Sequence, residues 1–168
     1  MARGRARVRV VSSATYHEYR ALSKRLKAAD GELRRDLRRR IREAGQPALR
    51  AVQAAAGGIT MTSSPSAGGT RRSTGLRARL ANATRISAMA TGVLFQVQEN
   101  RVDPKYGTTL TKGSEGLARW RHPVFGNKEK WVAQKGSPWF YPTLEREGPA
   151  FRAAVERAMR DTMNKIDG

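Results

Sequence analysis

Residues that commonly carry chemistry are scarce in this chain. Its 168 residues include two histidines and no cysteine. That removes thiolate metal sites, cysteine nucleophiles and a disulfide framework. His17 lies in Tyr16-His17-Glu18-Tyr19, and His122 precedes Pro123. Nothing pairs them at metal-ligand spacing, so each reads as a solvated or satisfied histidine. The serines are not set in the small-residue turn that presents a nucleophile. The glycine pairs are not followed by the Lys-Ser/Thr of a phosphate loop. Glu145 and Glu147 straddle Arg146 and read as favourable charge at a helix N-terminus. The expectation is a non-enzyme with no catalytic residue, no metal and no cofactor.

Charge is the stronger signal. Lys and Arg number 33 against 14 acids, a net charge of +19. Such a chain repels itself unless anions or acidic partners neutralise it. The densest basic run is Arg34-Arg35-Asp36-Leu37-Arg38-Arg39-Arg40. On a helix it offers a basic face of Arg34, Arg35, Arg38, Arg39 and Arg42, suited to phosphates and to steep salt dependence. The plainer reading is a solvated face, or one that meets acidic neighbours in an assembly. No aromatic residue is interleaved with these arginines, and no helix-turn-helix or finger spacing is present.

The aromatics gather elsewhere. The segment from Leu117 to Leu144 holds all three tryptophans and two of the four phenylalanines. A large aromatic buries on the order of 150–250 Å², so these are the main anchors of an alanine-rich chain that is 39% hydrophobic. Trp120, Phe125 and Leu144, with Phe151 and Val155, are assigned to core closure. Trp131, Trp139, Phe140 and Tyr141 are candidates for docking a partner. Pro138 and Pro142 flank the Trp139-Phe140-Tyr141 run and favour extended geometry before them. The three rings are therefore expected to alternate sides, with Phe140 opposite Trp139 and Tyr141.

The elements that must position these residues follow from periodicity. Residues 1–13 form a basic N-terminal arm in which Arg7–Val11 suits a short strand. A helix is expected from Tyr16 to Ala29, with Leu22 and Leu26 inward. From Glu32, Leu33, Leu37, Ile41, Ala44, Ala48 and Val52 recur every three or four residues, one face of an amphipathic helix. Pro47 should kink it or start a second segment, and Gly57-Gly58 should end it. Residues 57–75 and 100–116 read as two long loops from their glycine, proline and serine content. Between them lie a short helix over Leu76–Ala83 and two strands over residues 85–90 and 93–98. Val93, Phe95 and Val97 share one face of the second strand. A last helix is expected to begin at Gly148-Pro149. No apolar run approaches the roughly 20 residues of a membrane span, and no apolar h-region follows the basic start, so no membrane or secretory role is expected. The chain reads as a single domain, 1–168.

Three stretches carry a family resemblance. They are Ser73-Thr74-Gly75-Leu76-Arg77, the His122-Pro123-Val124-Phe125-Gly126 segment, and Pro138-Trp139-Phe140-Tyr141-Pro142-Thr143-Leu144 before a final helix. Over residues 74–166 the chain resembles the minor tail, or tail-completion, proteins of long-tailed bacteriophages. It departs from them in Asn127 after Phe125-Gly126, where threonine is usual, and in lacking an acid before that pair. The resemblance implies an α+β fold: a small antiparallel sheet packed by a long N-terminal amphipathic helix and a C-terminal helix, with two long loops. It implies a structural virion protein that completes the tail or joins it to the head. The partners would be copies of itself in a ring, a hexamer, around the DNA channel, with contact to that DNA, and other neck and tail proteins such as the terminator, stopper or tube. Its location would be the virion, and the host cytoplasm during assembly. The alternative from the residues themselves is a sequence-tolerant nucleic-acid-binding protein using the arginine-rich helix.

Overall fold

The computed structural model describes residues 7–9, 13–28, 31–60, 62–63, 75–89, 92–117, 119–124 and 127–167. The fold is α+β. In chain order the elements are β1 (Arg7–Arg9), α1 (Ser13–Ala28), α2 (Gly31–Ala44), α3 (Gln46–Gly57), β2 (Thr62–Ser63), α4 (Leu76–Ala83), β3 (Thr84–Met89), β4 (Gly92–Val97), α5 (Glu99–Val102), α6 (Gly107–Ser114), β5 (Trp120–Val124), β6 (Asn127–Lys135) and α7 (Phe140–Asp167). The strands form two three-stranded sheets, ordered β1-β4-β3 and β2-β6-β5, where the sequence suggested one small sheet. The second sheet arises because the aromatic segment, read only as closure or docking surface, folds into the β5–β6 hairpin. No described helix is long and apolar enough to cross a membrane.

The chain divides into two compact units. One holds Arg7–Ala51, Arg85–Gln96 and Thr143–Gly168. Its helices bury most of the predicted stripe: Leu22 and Leu26 of α1, Leu37 and Ile41 of α2, and Ala48 of α3, while Leu33 and Ala44 are half-buried. The break between α2 and α3 falls at Gly45, just before Pro47, which sits in the first turn of α3 where its missing N–H costs nothing. Gly45 is also a close approach. A Cβ there would collide with the side chain of Ile86 and crowd Phe151. Phe151 in turn meets Phe95 of β4 edge to face, centroids 5.5 Å apart. Val93 and Phe95, on one face of β4, are buried.

The other unit holds, among the described residues, those of Val52–Thr84 and Val97–Pro142. Gly75, at φ 67°, opens α4 in the left-handed region that glycine tolerates best. Part of the loop expected at residues 57–75 lies outside the described residues, and Thr62–Ser63 within it pairs with β6. The loop expected at residues 100–116 is mostly helical, as α5 and α6. The reason lies in the residues that looked like loop. The Asp103 carboxylate accepts from the amides of Lys105 and Tyr106, at 2.9 and 2.7 Å, a turn that launches α6. Gly107, first in α6, sits so close to the Glu99 backbone that a Cβ would overlap it. Glycine here permits a tight helix–helix approach.

The last helix differs most from expectation. It starts at Phe140, not Gly148, and runs 28 residues with Pro149 inside it. Residues 139–141 are therefore not an alternating strand. Leu144, Gly148, Phe151, Val155, Ala158, Met159 and Thr162 are buried along one stripe. The exposed Pro149 lies off that stripe, so it removes one donor without breaking the packed face.

Candidate functional site

The start of α7 is held from a distance by one carboxylate. Glu115, 4% exposed, follows α6. Its Oε2 accepts from the backbone amides of Trp139 and Phe140, at 3.1 and 2.8 Å, and its Oε1 from that of Tyr141, at 3.2 Å. The opening amides of a helix lack intrahelical acceptors. Here three of them converge on a negative charge at the positive end of the helix dipole. Pro142, next in line, has no N–H to satisfy. The Pro-Trp-Phe-Tyr-Pro sequence thus brings three amides to one acid and then stops asking for acceptors.

Neighbouring contacts fix that acid in place. The Trp139 indole donates to Ser114 Oγ at 3.2 Å, and the Ser114 hydroxyl donates to Thr111 O at 2.8 Å. Gly116, at φ 76°, takes a backbone turn that a side chain would strain. A Cβ on Gly136 would run into the Ser114 backbone, and the Gly136 amide donates to Gly113 O at 2.9 Å. Only glycine lets the two segments come this near.

This clasp divides the candidate docking rings. Trp139 and Phe140, proposed as docking residues from sequence, are buried at 4% and 1% exposure. Tyr141 is 39% exposed and Trp131 on β6 48% exposed. The physical cause is the helix. Successive residues are turned by about 100°, so Phe140 goes inward and Tyr141 emerges, while Trp139, just before the helix, is drawn in by its indole bond to Ser114. Leu144, Phe151 and Val155 are buried on α7. Phe125 and the Trp120 side chain lie outside the described residues. Glu115 was missed because it is 24 to 26 residues from the amides it serves.

The arginine helix has a different chemistry. Arg35, Arg38, Arg39 and Arg42 are exposed on α2, while Arg34 is half-buried on its flank. Asp36 takes the guanidinium of Arg39, that of Arg40 at 2.9 Å and the Lys165 ammonium at 3.5 Å. Arg39 also meets Glu43 at 3.2 Å, and Arg40 meets Asp161 at 3.5 Å. Desolvation raises the Asp36 pKa, but the hydrogen bonds and charges of Arg39 and Arg40 outweigh it and hold the carboxyl below its ordinary value. The hydrogen bonds to Asp36 and then Glu43 raise that of Arg39. Two of the run's arginines are thus engaged with acids, and the outermost face is Arg35, Arg38 and Arg42. His17 is exposed on α1. No group of three or more His, Cys, Asp or Glu that could hold a metal occurs among the described residues. Comparison with known protein families, with curated proteins and with solved structures found no match.

Proposed function

We propose that this chain is a structural subunit of a bacteriophage neck or tail, which completes the tail or joins it to the head as part of a ring around the DNA channel. One observation carries the reading. The Pro138–Leu144 run that gives the resemblance its most specific motif is a built helix start, clasped by Glu115, with Tyr141 turned outward. A part that works by docking needs a surface ring on a rigid mount, and ordering such a ring beforehand lowers the cost of binding. The high positive charge suits acidic neighbours and packaged DNA. Negative-stain electron microscopy of the purified protein, and mass spectrometry of virions, test the reading. Ring particles and presence in virions are expected. A strictly monomeric protein absent from virions would refute it.

The arginine helix supports a second reading, sequence-tolerant binding of nucleic acid, through the exposed Arg35, Arg38 and Arg42. Its signature would be a fall in duplex affinity of about 10³–10⁵ between 50 and 200 mM salt, as for six to ten phosphate contacts. Replacing those three arginines by alanine should abolish that slope.

A further inference from the structure

Among the described residues, the most exposed large apolar side chain is that of Leu117, at 65%. Its surroundings are well defined. The Leu117 amide donates to the Lys112 carbonyl at 3.1 Å, which seats the residue against the end of α6. Gly116, just before it, lies so near Pro138 that a Cβ there would stand 3.6 Å from the proline ring. Glu115, one residue earlier, accepts from the Tyr141 amide at 3.2 Å. Residues 115–117 and 138–142 therefore lie together, and Leu117, Pro138, Tyr141 and Pro142 are all exposed. Exposed apolar side chains gathered on a rigid mount mark an interaction site.

The border of this patch is cationic. Lys112 and Arg119 flank Leu117 and are exposed. Among the described residues of the same unit, Arg77, Arg101 and Lys105 are exposed as well, against one exposed acid, Glu129, which already has a partner. The exposed Glu145 lies one turn past Tyr141 on α7, so the positive side of the patch is the Leu117 side.

We infer that this patch docks an acidic amphipathic segment of a different protein, whose apolar side chains cover Leu117 and Tyr141 and whose carboxylates face Lys112 and Arg119. Such docking takes its affinity from a few apolar anchors, and opposite charge at the rim selects the partner and speeds its arrival. Two other occupants fit worse. A second copy would bring the same net charge of +19 to a positive border. A polynucleotide would meet the cations, but Leu117 offers no ring for a base to stack on. The partner assigned here rests on the docking role proposed for Tyr141; it adds the partner's chemistry and a second anchor.

Fluorescence anisotropy on the full chain tests it, with a labelled peptide of about 18 residues, roughly five turns, whose leucines and glutamates recur at helical spacing. Two control peptides carry alanine for each leucine or lysine for each glutamate. The wild type should bind the first peptide and neither control. Leu117→Ser should weaken binding by about thirty-fold or more, as for one interface hot spot, and Tyr141→Ala should do the same. Lys112→Glu with Arg119→Glu should weaken it and remove most of its salt dependence. Arg35→Ala with Arg38→Ala and Arg42→Ala should leave the effect of Leu117→Ser unchanged. Leu117 is exposed, so its variant should keep the wild-type circular dichroism and melting. Any of four results would overturn the inference. They are no binding of the first peptide, equal binding of the alanine peptide, a dT oligomer whose binding Leu117→Ser weakens as strongly, or self-association of the wild type that Leu117→Ser abolishes in analytical ultracentrifugation. Rings in electron micrographs without peptide binding would refute this inference and leave the ring reading standing. Peptide binding by a monomeric protein absent from virions would do the reverse.

Discussion

Glu115 and Asp36 each collect three donors, yet they do so in opposite ways. Glu115 is buried and takes its donors from backbone amides already fixed by the chain. Asp36 lies on a helix surface and takes its donors from two guanidiniums and an ammonium on long side chains. The first arrangement has no alternative, since amides buried without an acceptor cost their full desolvation. The second has many, because water and salt replace any of its partners at small loss. A carboxylate gains structural weight from the rigidity of what it binds, not from the number of bonds it makes.

Breaking the rigid side should show first in its rings. Trp139→Ala and Phe140→Ala should each destabilise the protein by about 3–5 kcal/mol, the usual cost of truncating a buried large aromatic. Thermal denaturation checks this, and near-wild-type melting of either variant would count against the buried placement. Glu115→Gln comes next. It keeps the shape but loses the charge and one acceptor oxygen, so at least one amide is stranded. A loss of about 2–3 kcal/mol is expected, from charged hydrogen bonds worth roughly 1.5–3 kcal/mol each. For a chain of this size that is a drop of about 4–12 °C in Tm. Raising the salt concentration should not shrink the difference from wild type, because the site is closed to solvent.

Tyr141→Ala separates mounting from presentation. Its amide would still reach Glu115, so the clasp should survive and Tm should move little. If the ring docks a partner, assembly into particles should fail while the subunit remains folded. Intact assembly by this variant would leave the clasp standing as a structural device and remove Tyr141 from the docking surface.

How much of this was legible depended on sequence distance. The α2 pairs are three and four residues apart, so arginines and acids at helix spacing announced them. The stripe from Leu22 to Val52 was readable for the same reason, being local and periodic. The hairpin β3–β4 showed in its alternation of Val93, Phe95 and Val97. The clasp was not readable. Its two halves are about 25 residues apart, and nothing in Ser114-Glu115-Gly116 marks an acid that caps a helix. Glycine misled in the same region. Gly107 and Gly116 suggested open loop, whereas Gly107 marks backbones too close for a Cβ, and Gly116 adds a left-handed turn beside such an approach. Composition cannot distinguish a glycine that loosens a chain from one that lets two segments touch. The β5–β6 sheet was hidden by Pro123 in the middle of its first strand, since proline argues against a strand interior.

The smallest effect sharpens the comparison most. Asp36→Asn should lower stability less than Glu115→Gln, and the loss should fade as salt rises, since two of its partners, Arg39 and Lys165, are exposed and the third, Arg40, is half-buried. Acid should do the same as the mutation. The folded carboxyl titrates below the ordinary aspartate value of 3.8. Its contribution is therefore present above that value and disappears as pH falls through the lower, folded one. The difference in Tm between wild type and Asp36→Asn should stay constant from neutral pH to about pH 5 and close below about pH 4. Asp103 provides a control of the other kind, because hydrogen bonds from the Tyr106 and Lys105 amides, ahead of the Arg79 charge, hold its carboxyl low. Asp103→Asn should show the same closing below pH 4, but without the fading in salt at neutral pH. If the two variants responded alike to salt, the distinction between backbone-held and side-chain-held acids would fail at the protein surface. It would then be a property of burial alone.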